Sequence, residues 1–553
     1  MASADVHGVR TRSSVKPSVQ GLEIILWALL AFLAAGSTLV LRPSPLADDS
    51  YQYLSAAENL SHGRGFSTSL VHFDIERSNG RIPAPLTTFP PGYPLVVALV
   101  PLQGHLEAAA RGVSLVSYAG AAALLSWTLI LAGVTTFFRQ VMMLLFTTNA
   151  VALVFATSVL SEPLYVLLSV GAIAGLVWVE KRTLPDRTVI ALTVISCSLA
   201  GVAFWVRYAG LFQIAAIVIY FLVQFTLRRD RLSAVSLWIA VIPVMAAGTL
   251  MLRNLVTVGT WKGGNDMLVF HSLNSVLAGY FRSQLHLVWG VRAVAFGFWE
   301  VLLVVGALGV AAVVAVVAAD GVRHARWPRA GAWRKPDSAT LLAVLCVVVY
   351  SAGMFYAGLR TVISFGARMF LPLLPVYLLL LGIGLTRVTH GAGSVFLKLC
   401  LVVATLGYVG ANVRHLCGPL KPARHDVLAG LYNKPGGDGR PLLQWVESNI
   451  PSGEAIVAAD GQATGFLLRR PTVSMAGPEF SSVRWECAEV KKEMRRFKAR
   501  YVILYKSESD VGNQLLLTES KFVAASATGR PACGFVIAAE NSDVRILTAG
   551  GGQ

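Results

Sequence analysis

Apolar blocks of roughly 18 to 22 residues recur along this chain, and an α-helix needs about that length to cross hydrocarbon. Inside a bilayer every backbone N–H and C=O has to be satisfied within its own segment, so such blocks fold as helices. They fall at 22–41, 113–135, 140–160, 163–179, 188–205, 208–227, 233–252, 294–318, 338–357, 367–386 and 396–413, about eleven spans. A further apolar run, Pro94–Leu102, is too short to cross and is expected to dip into the membrane or lie along it. With 55% hydrophobic and 14% charged residues among 553, the chain is too oily for an ordinary soluble protein. In a soluble protein the net charge of +17 would suggest nucleic acid. Here the basic residues gather in short loops between apolar blocks, so topology explains them and no nucleic-acid partner is expected.

The basic loops alternate with the spans. Arg10, Arg12 and Lys16 precede the first span, and Arg139 follows the second. Lys181, Arg182 and Arg187 follow the fourth, and Arg228, Arg229 and Arg231 the sixth. Arg323, Arg326, Arg329, Arg334 and Lys335 follow the eighth, and Arg387 with Lys398 the tenth. All lie on one side if the N-terminus is cytoplasmic, which makes the first 21 residues a cytoplasmic tail. The first apolar segment is long and lacks a clear small-residue cleavage site, so it is expected to be retained. With an odd number of spans, everything after about residue 414 is extracytoplasmic.

That sidedness collects charged residues at the outer ends of the spans: Asp48, Asp49, Glu162, Arg207, Arg253, Arg360 and Arg368. The positive-inside rule alone would not put arginines there, and a planar guanidinium can hold two oxygens of a phosphate at once. Asp48 and Asp49 directly follow the first span. Adjacent carboxylates at a membrane edge repel each other and are costly to desolvate, so their presence points to chemistry. Capping a helix, the structural alternative, needs only one of them.

The first outer loop, residues 42–112, is too long for a plain connector. Tyr51, Leu54, Ala57 and Leu60 share one helical face, which predicts an interfacial amphipathic helix starting near the acid pair and stopped by Gly63. Thr87–Pro94 follows, with three prolines and a glycine that predict a turn and no regular helix. His62, His72 and His105 lack helical metal spacing and read as surface residues.

The sequence D-D-x-Y-x-Y-L-x-x-A-x-N-L-x-x-G-x-G from Asp48, then F-P-P-G-Y-P, resembles the bacterial GT-C glycosyltransferases. These are polytopic enzymes related to protein O-mannosyltransferases and to the aminoarabinose transferase of lipid A. The likeness continues through Ser161–Tyr165, Trp205–Leu211, Leu252–Gly259, Arg368–Pro375 and Gln444–Pro451, in order along nearly the whole chain. It implies a GT-C-like transmembrane domain (22–413) in the bacterial cytoplasmic membrane, with the active site on its outer loop. It also implies transfer of a sugar from a polyprenyl-phosphate donor to an acceptor hydroxyl, with inversion. The acceptor would be a glycolipid, a polysaccharide or a protein. By that match Asp48 is the general base, with Asp49 the alternative, and Glu162 orients the acceptor or tunes the pair. Arg207, Arg253 and Arg368 would hold the donor phosphate, and Tyr51, Pro90, Pro91, Gly92 and Tyr93 would shape the loop near the site. No motif names the sugar. A divalent metal is compatible with the resemblance, but no cysteine or histidine spacing suggests a metal site.

From residue 424 to 553 the composition turns polar and predicts a small extracytoplasmic α/β domain. Helices are expected at Pro441–Asn449 and Ser482–Lys498, and strands at Glu454–Ala459, Arg500–Tyr505, Gly534–Ala539 and Val544–Leu547. Outside the cytoplasm, Cys487 and Cys533 would suit a disulfide. The domain has no nucleotide fingerprint, which agrees with a lipid-linked donor. The rival classes are a transporter or flippase of lipid-linked sugars, which would favour charges deep in the spans, and a non-catalytic envelope-assembly protein.

Overall fold

The computed structural model describes residues 17–73, 75–102, 104–263, 271–289, 337–360, 365–388, 394–418, 424–437, 439–477, 481–506 and 520–549. Among them, nine helices are long and apolar enough to cross a membrane, from Val19–Leu41 to Lys398–Leu416. Where the sequence suggests one span at 140–160, two helices, Thr136–Thr147 and Ala150–Ala156, meet at a 55° bend and together make a broken span or a re-entrant loop. Asn149 explains the break. Its side chain caps the second piece by accepting from Ala152 N (2.8 Å) and donates to Leu287 O (2.8 Å) and the Tyr408 hydroxyl (2.7 Å). The expected span at 294–318 lies outside the described residues. Large side chains such as Leu22, Ile25, Val256 and Phe396 are exposed along the bundle, where only a lipid solvent makes them favourable.

Ion pairs tie together the basic end of the bundle. Arg139 holds Glu23 (2.5 Å), Arg228 holds Glu180, and Asp337 is shared by Lys181 and Arg387, each at 2.6 Å. Chain alternation places Asp48, Asp49, Glu162, Arg207 and Arg368 at the opposite end.

There the chain leaves helix α1 (Pro17–Leu41) and enters α2 (Asp48–Ser61). Gly63, at φ +71, supplies the left-handed turn that ends α2. Ser50–Ala57 and Asn59 are all buried, on every face of the helix. The helix is therefore not interfacial as its apolar stripe suggests: protein covers the face that period reasoning assigns to water. The proline segment also departs from expectation, because helix α3 (Gly92–Leu99) begins inside it with Pro91 as N-cap. Pro94 is tolerated because it falls in the first turn, where its missing N–H is not needed.

The C-terminal region forms a six-stranded sheet in the order β2-β5-β4-β6-β8-β7. Strands β4 (Ile456–Ala458), β5 (Thr472–Ser474) and β6 (Tyr501–Tyr505) run parallel, while β8 (Val544–Ala549) and β7 (Phe535–Glu540) add an antiparallel edge. Ile456, Val457, Ala458, Val502, Ile503 and Leu504 are fully buried, the continuous apolar pattern of strands covered on both faces. The other edge, β2 (Leu70–Val71), comes from the first outer loop and pairs Leu70 with Thr472 and Val71 with Val473. A small antiparallel pair, β1 (Ser67–Thr68) with β3 (Ala84–Pro85), lies beside it. Cys487 and Cys533 are joined with their Cα atoms 6.0 Å apart.

The loop is further fastened through Glu76, which accepts from Ser481 Oγ (2.8 Å), Ser482 N (2.7 Å) and Ser482 Oγ (2.8 Å). Arg496 donates to the Glu76 carbonyl at 2.7 Å.

Candidate active site

Asp48 and Asp49 occupy the first two positions of α2, with Ala47 as extended N-cap. Unpaired N–H groups at a helix start favour carboxylates there. Neighbouring residues on a helix point about 100° apart, so the two side chains diverge. Asp49 accepts from Arg368 Nη1 at 2.7 Å and Asp48 from Arg424 Nη1 at 2.7 Å. Glu162, fully buried at its helix start, pairs with Arg207 Nη1 at 2.7 Å. Arg207 Nη1 also lies 3.1 Å from Ser161 Oγ, which the Tyr53 hydroxyl meets at 3.0 Å. Three carboxylate–guanidinium pairs therefore sit at one end of the bundle. The hydrogen bonds that Arg207, Arg368 and Arg424 donate among the described residues run through Nη1.

The motif residues support this patch. The Tyr53 ring packs edge-on against Phe89 (5.2 Å) and Tyr93 (5.0 Å), and the Tyr93 hydroxyl donates to Ala110 O at 3.2 Å. Gly92 is needed for close approach: a Cβ there would lie 2.6 Å from the Trp205 carbonyl oxygen. Prolines 90 and 91 deliver the chain to that contact. Tyr51 faces the C-terminal region, with its hydroxyl 3.3 Å from His425 Nδ1 and its ring 5.2 Å from Phe466.

Arg253 is placed differently from the other arginines. It donates to Leu86 O (2.8 Å), Phe66 O (3.2 Å) and Asn254 Oδ1 (3.2 Å), clamping the first loop and meeting no carboxylate among the described residues. His72 is not a surface residue: it is partly buried, and its Nδ1 lies 2.8 Å from Ser474 Oγ. Burial, then the charge of Arg424, pull its pKa down to about 3, so it is neutral. Arg360 ends its helix at the same end of the bundle as Arg368. No group of three His, Cys, Asp or Glu among the described residues could hold a metal ion.

Sequence reasoning missed Arg424 and Asp460. Asp460 follows β4 and is 5% exposed, with Oδ2 3.8 Å from Arg424 Nη1. Burial, opposed by Arg424 and reinforced by Asp48, pushes its pKa up to about 6. Asp48 is also raised. The surrounding protein mass dominates even though 47% of its side chain is exposed; Arg424 opposes the shift and the Asp49 charge adds to it. Neither residue has a local signal, because A-A-D-G-Q and A-R-H-D read as ordinary polar segments. Only pairing of the first loop with the C-terminal sheet brings them to the acid pair.

No family model and no curated protein matches the chain. Solved structures do. ArnT from Cupriavidus metallidurans bound to undecaprenyl phosphate superposes with a TM-score of 0.53 at 14% identity, covering 96% of this chain and 99% of that one. Its apo form gives 0.56 at 13% identity, covering 97% and 100%. The Archaeoglobus fulgidus oligosaccharyltransferase in complex with Zn and sulfate gives 0.55 at 12%, covering 91% and 70%. The fold shared with these proteins is the GT-C fold.

Proposed function

We propose that this chain is a membrane glycosyltransferase that moves a sugar from a polyprenyl-phosphate donor to an acceptor hydroxyl. The observation that carries this reading is the set of paired acids and arginines at one end of a GT-C bundle. Its members are Asp48 with Arg424, Asp49 with Arg368, and Glu162 with Arg207. Asp48 is the general base: it is the more exposed of the acid pair, and its raised pKa makes it a stronger proton acceptor once ionised. As Asp48 takes the hydroxyl proton, the acceptor oxygen bonds to the anomeric carbon from the side opposite the phosphate. The sugar–phosphate bond breaks, the centre inverts, and the phosphate keeps the electron pair.

Arg368 and Arg207 hold that departing charge through the guanidinium donors their carboxylates leave unused. Arg253 is left out of the phosphate site because its contacts hold the loop. Asp49 and Glu162 orient the two arginines. The site faces outward from the bacterial cytoplasmic membrane, the N-terminus is cytoplasmic, and the C-terminal region is extracytoplasmic; the basic loops support this sidedness.

The test is mass spectrometry of envelope glycans from cells lacking the chain, complemented with wild type or Asp48→Asn. Wild type is expected to restore a glycan that Asp48→Asn does not, at equal membrane abundance. Restoration by both Asp48→Asn and Asp49→Asn would defeat the assignment.

A further inference from the structure

We propose that the C-terminal α/β region carries the acceptor-binding site, with Asp460 and Gln462 accepting hydroxyl hydrogens from a sugar acceptor beside the hydroxyl that Asp48 deprotonates. The inference rests on the transferase reading and names the substrate class of its acceptor side.

Asp460 stands at the C-terminal end of parallel strand β4, directly before the helix Gly461–Leu468. In parallel sheets, ligands bind in the crevice outside these strand ends. The first loop supplies the edge strand of the same sheet, and the helix after β4 meets α2 through Phe466 and Tyr51.

Two buried oxygens here receive no hydrogen bond among the described residues: Asp460 Oδ2, which only the more distant Arg424 approaches, and Gln462 Oε1, in residues 5% and 3% exposed. A buried acceptor without a donor is costly, and a native site that keeps one is built for something that donates. Gln462 shares a helical face with Phe466, four residues on, whose ring meets Tyr51 of α2 at 5.2 Å and His425 at 5.8 Å. The helix that carries Gln462 therefore abuts the loop that bears Asp48, and Asp460 reaches the Arg424 that holds Asp48.

Arg424 links this pair to the reaction. Its Nη1 lies 2.7 Å from Asp48 Oδ1 and 3.8 Å from Asp460 Oδ2, so the two carboxylates are no farther apart than those distances together. A molecule presenting one hydroxyl to Asp48 and a neighbouring hydroxyl to Asp460 has the form of a sugar.

Arg424 already supplies a cation beside both carboxylates. A neutral hydroxyl donates to their oxygens and can lie beside the guanidinium. Glutamine's amide oxygen takes the same kind of hydrogen.

The test uses the purified full-length protein in detergent, with methyl glycosides of common hexoses and pentoses as probes and a serine- and threonine-containing peptide as comparator. Saturation-transfer NMR reads binding. At least one glycoside is expected to bind the wild-type protein. Asp460→Asn and Gln462→Leu should each weaken it ~10-fold, as expected for the loss of one hydrogen bond to a buried acceptor. Gln462→Leu, which keeps the charge pattern, decides the matter if Asp460→Asn fails to fold.

Absence of glycoside binding to wild type would overturn the proposal. So would unchanged binding in both folded variants, or binding of the peptide alone. Glycoside binding sensitive to Asp460 and Gln462, in a protein whose Asp48→Asn form still restores the envelope glycan, would sink the catalytic assignment and leave the binding site standing.

Discussion

Arg207 and Glu162 form the most deeply buried ion pair of the site, with side chains 17% and 0% exposed. Removing one partner strands the other charge, so Arg207→Ala should cost about 3–5 kcal/mol, and the double replacement with Glu162→Gln should recover much of that. Thermal unfolding of the purified variants measures both. At Asp460 the sign of the pH effect follows from its pKa of about 6 against an ordinary 3.8. The folded state holds this proton more tightly than the unfolded chain. Its contribution is therefore fully present below about pH 4 and lost as pH rises through about 6, on the order of 3 kcal/mol. Asp460→Asn should flatten that part of the stability profile. A slope of the same sign should remain, because Asp48, across Arg424, is also raised. A profile as steep as wild type would mean that Asp460 is not protonated preferentially in the folded protein. Neither pair could be read from spacing: Glu162 and Arg207 announce themselves as charges at span ends, but their distance is a matter of helix packing.

Helices α2 and α3 show how far an element can be inferred from its own residues. The acid pair, the apolar positions and Gly63 place α2 correctly along the chain. Its surroundings do not follow, because burial on all faces depends on what packs above it. The proline segment teaches the opposite lesson. Its turn is legible, yet α3 starts at Gly92 because a proline early in a helix sacrifices no hydrogen bond. Gly92→Ala should lose about 1–3 kcal/mol, because the new methyl meets the backbone of Trp205, which cannot move aside as a side chain would. Detergent-phase melting reads this directly. A neutral result would mean that the α3 contact with Trp205 is looser than 2.6 Å implies.

At the scale of the whole molecule, the C-terminal region and the first loop form one sheet, and the site lies where they join. Losing the Cys487–Cys533 link should cost about 2–5 kcal/mol in this region, measured as the melting shift of the double serine variant. In intact cells an impermeant maleimide should label exposed Cys417 directly, and Cys487 and Cys533 only after an impermeant reductant. If none of the three reacts, the tail faces the cytoplasm, and the proposed meeting of Asp48 with a lipid-linked donor outside is untenable. Most spans among the described residues, the alternation of basic loops and the position of the acid pair were legible in the sequence alone. Each rests on local composition, which the bilayer reads about twenty residues at a time. Only the tertiary structure decided that Arg424 and Asp460 face Asp48, that Arg253 serves the loop, and that Leu70–Val71 completes a sheet begun some four hundred residues later. Strand pairing and ion pairing between distant segments depend on which surfaces meet once the helices have packed, and no periodicity in either segment encodes that meeting.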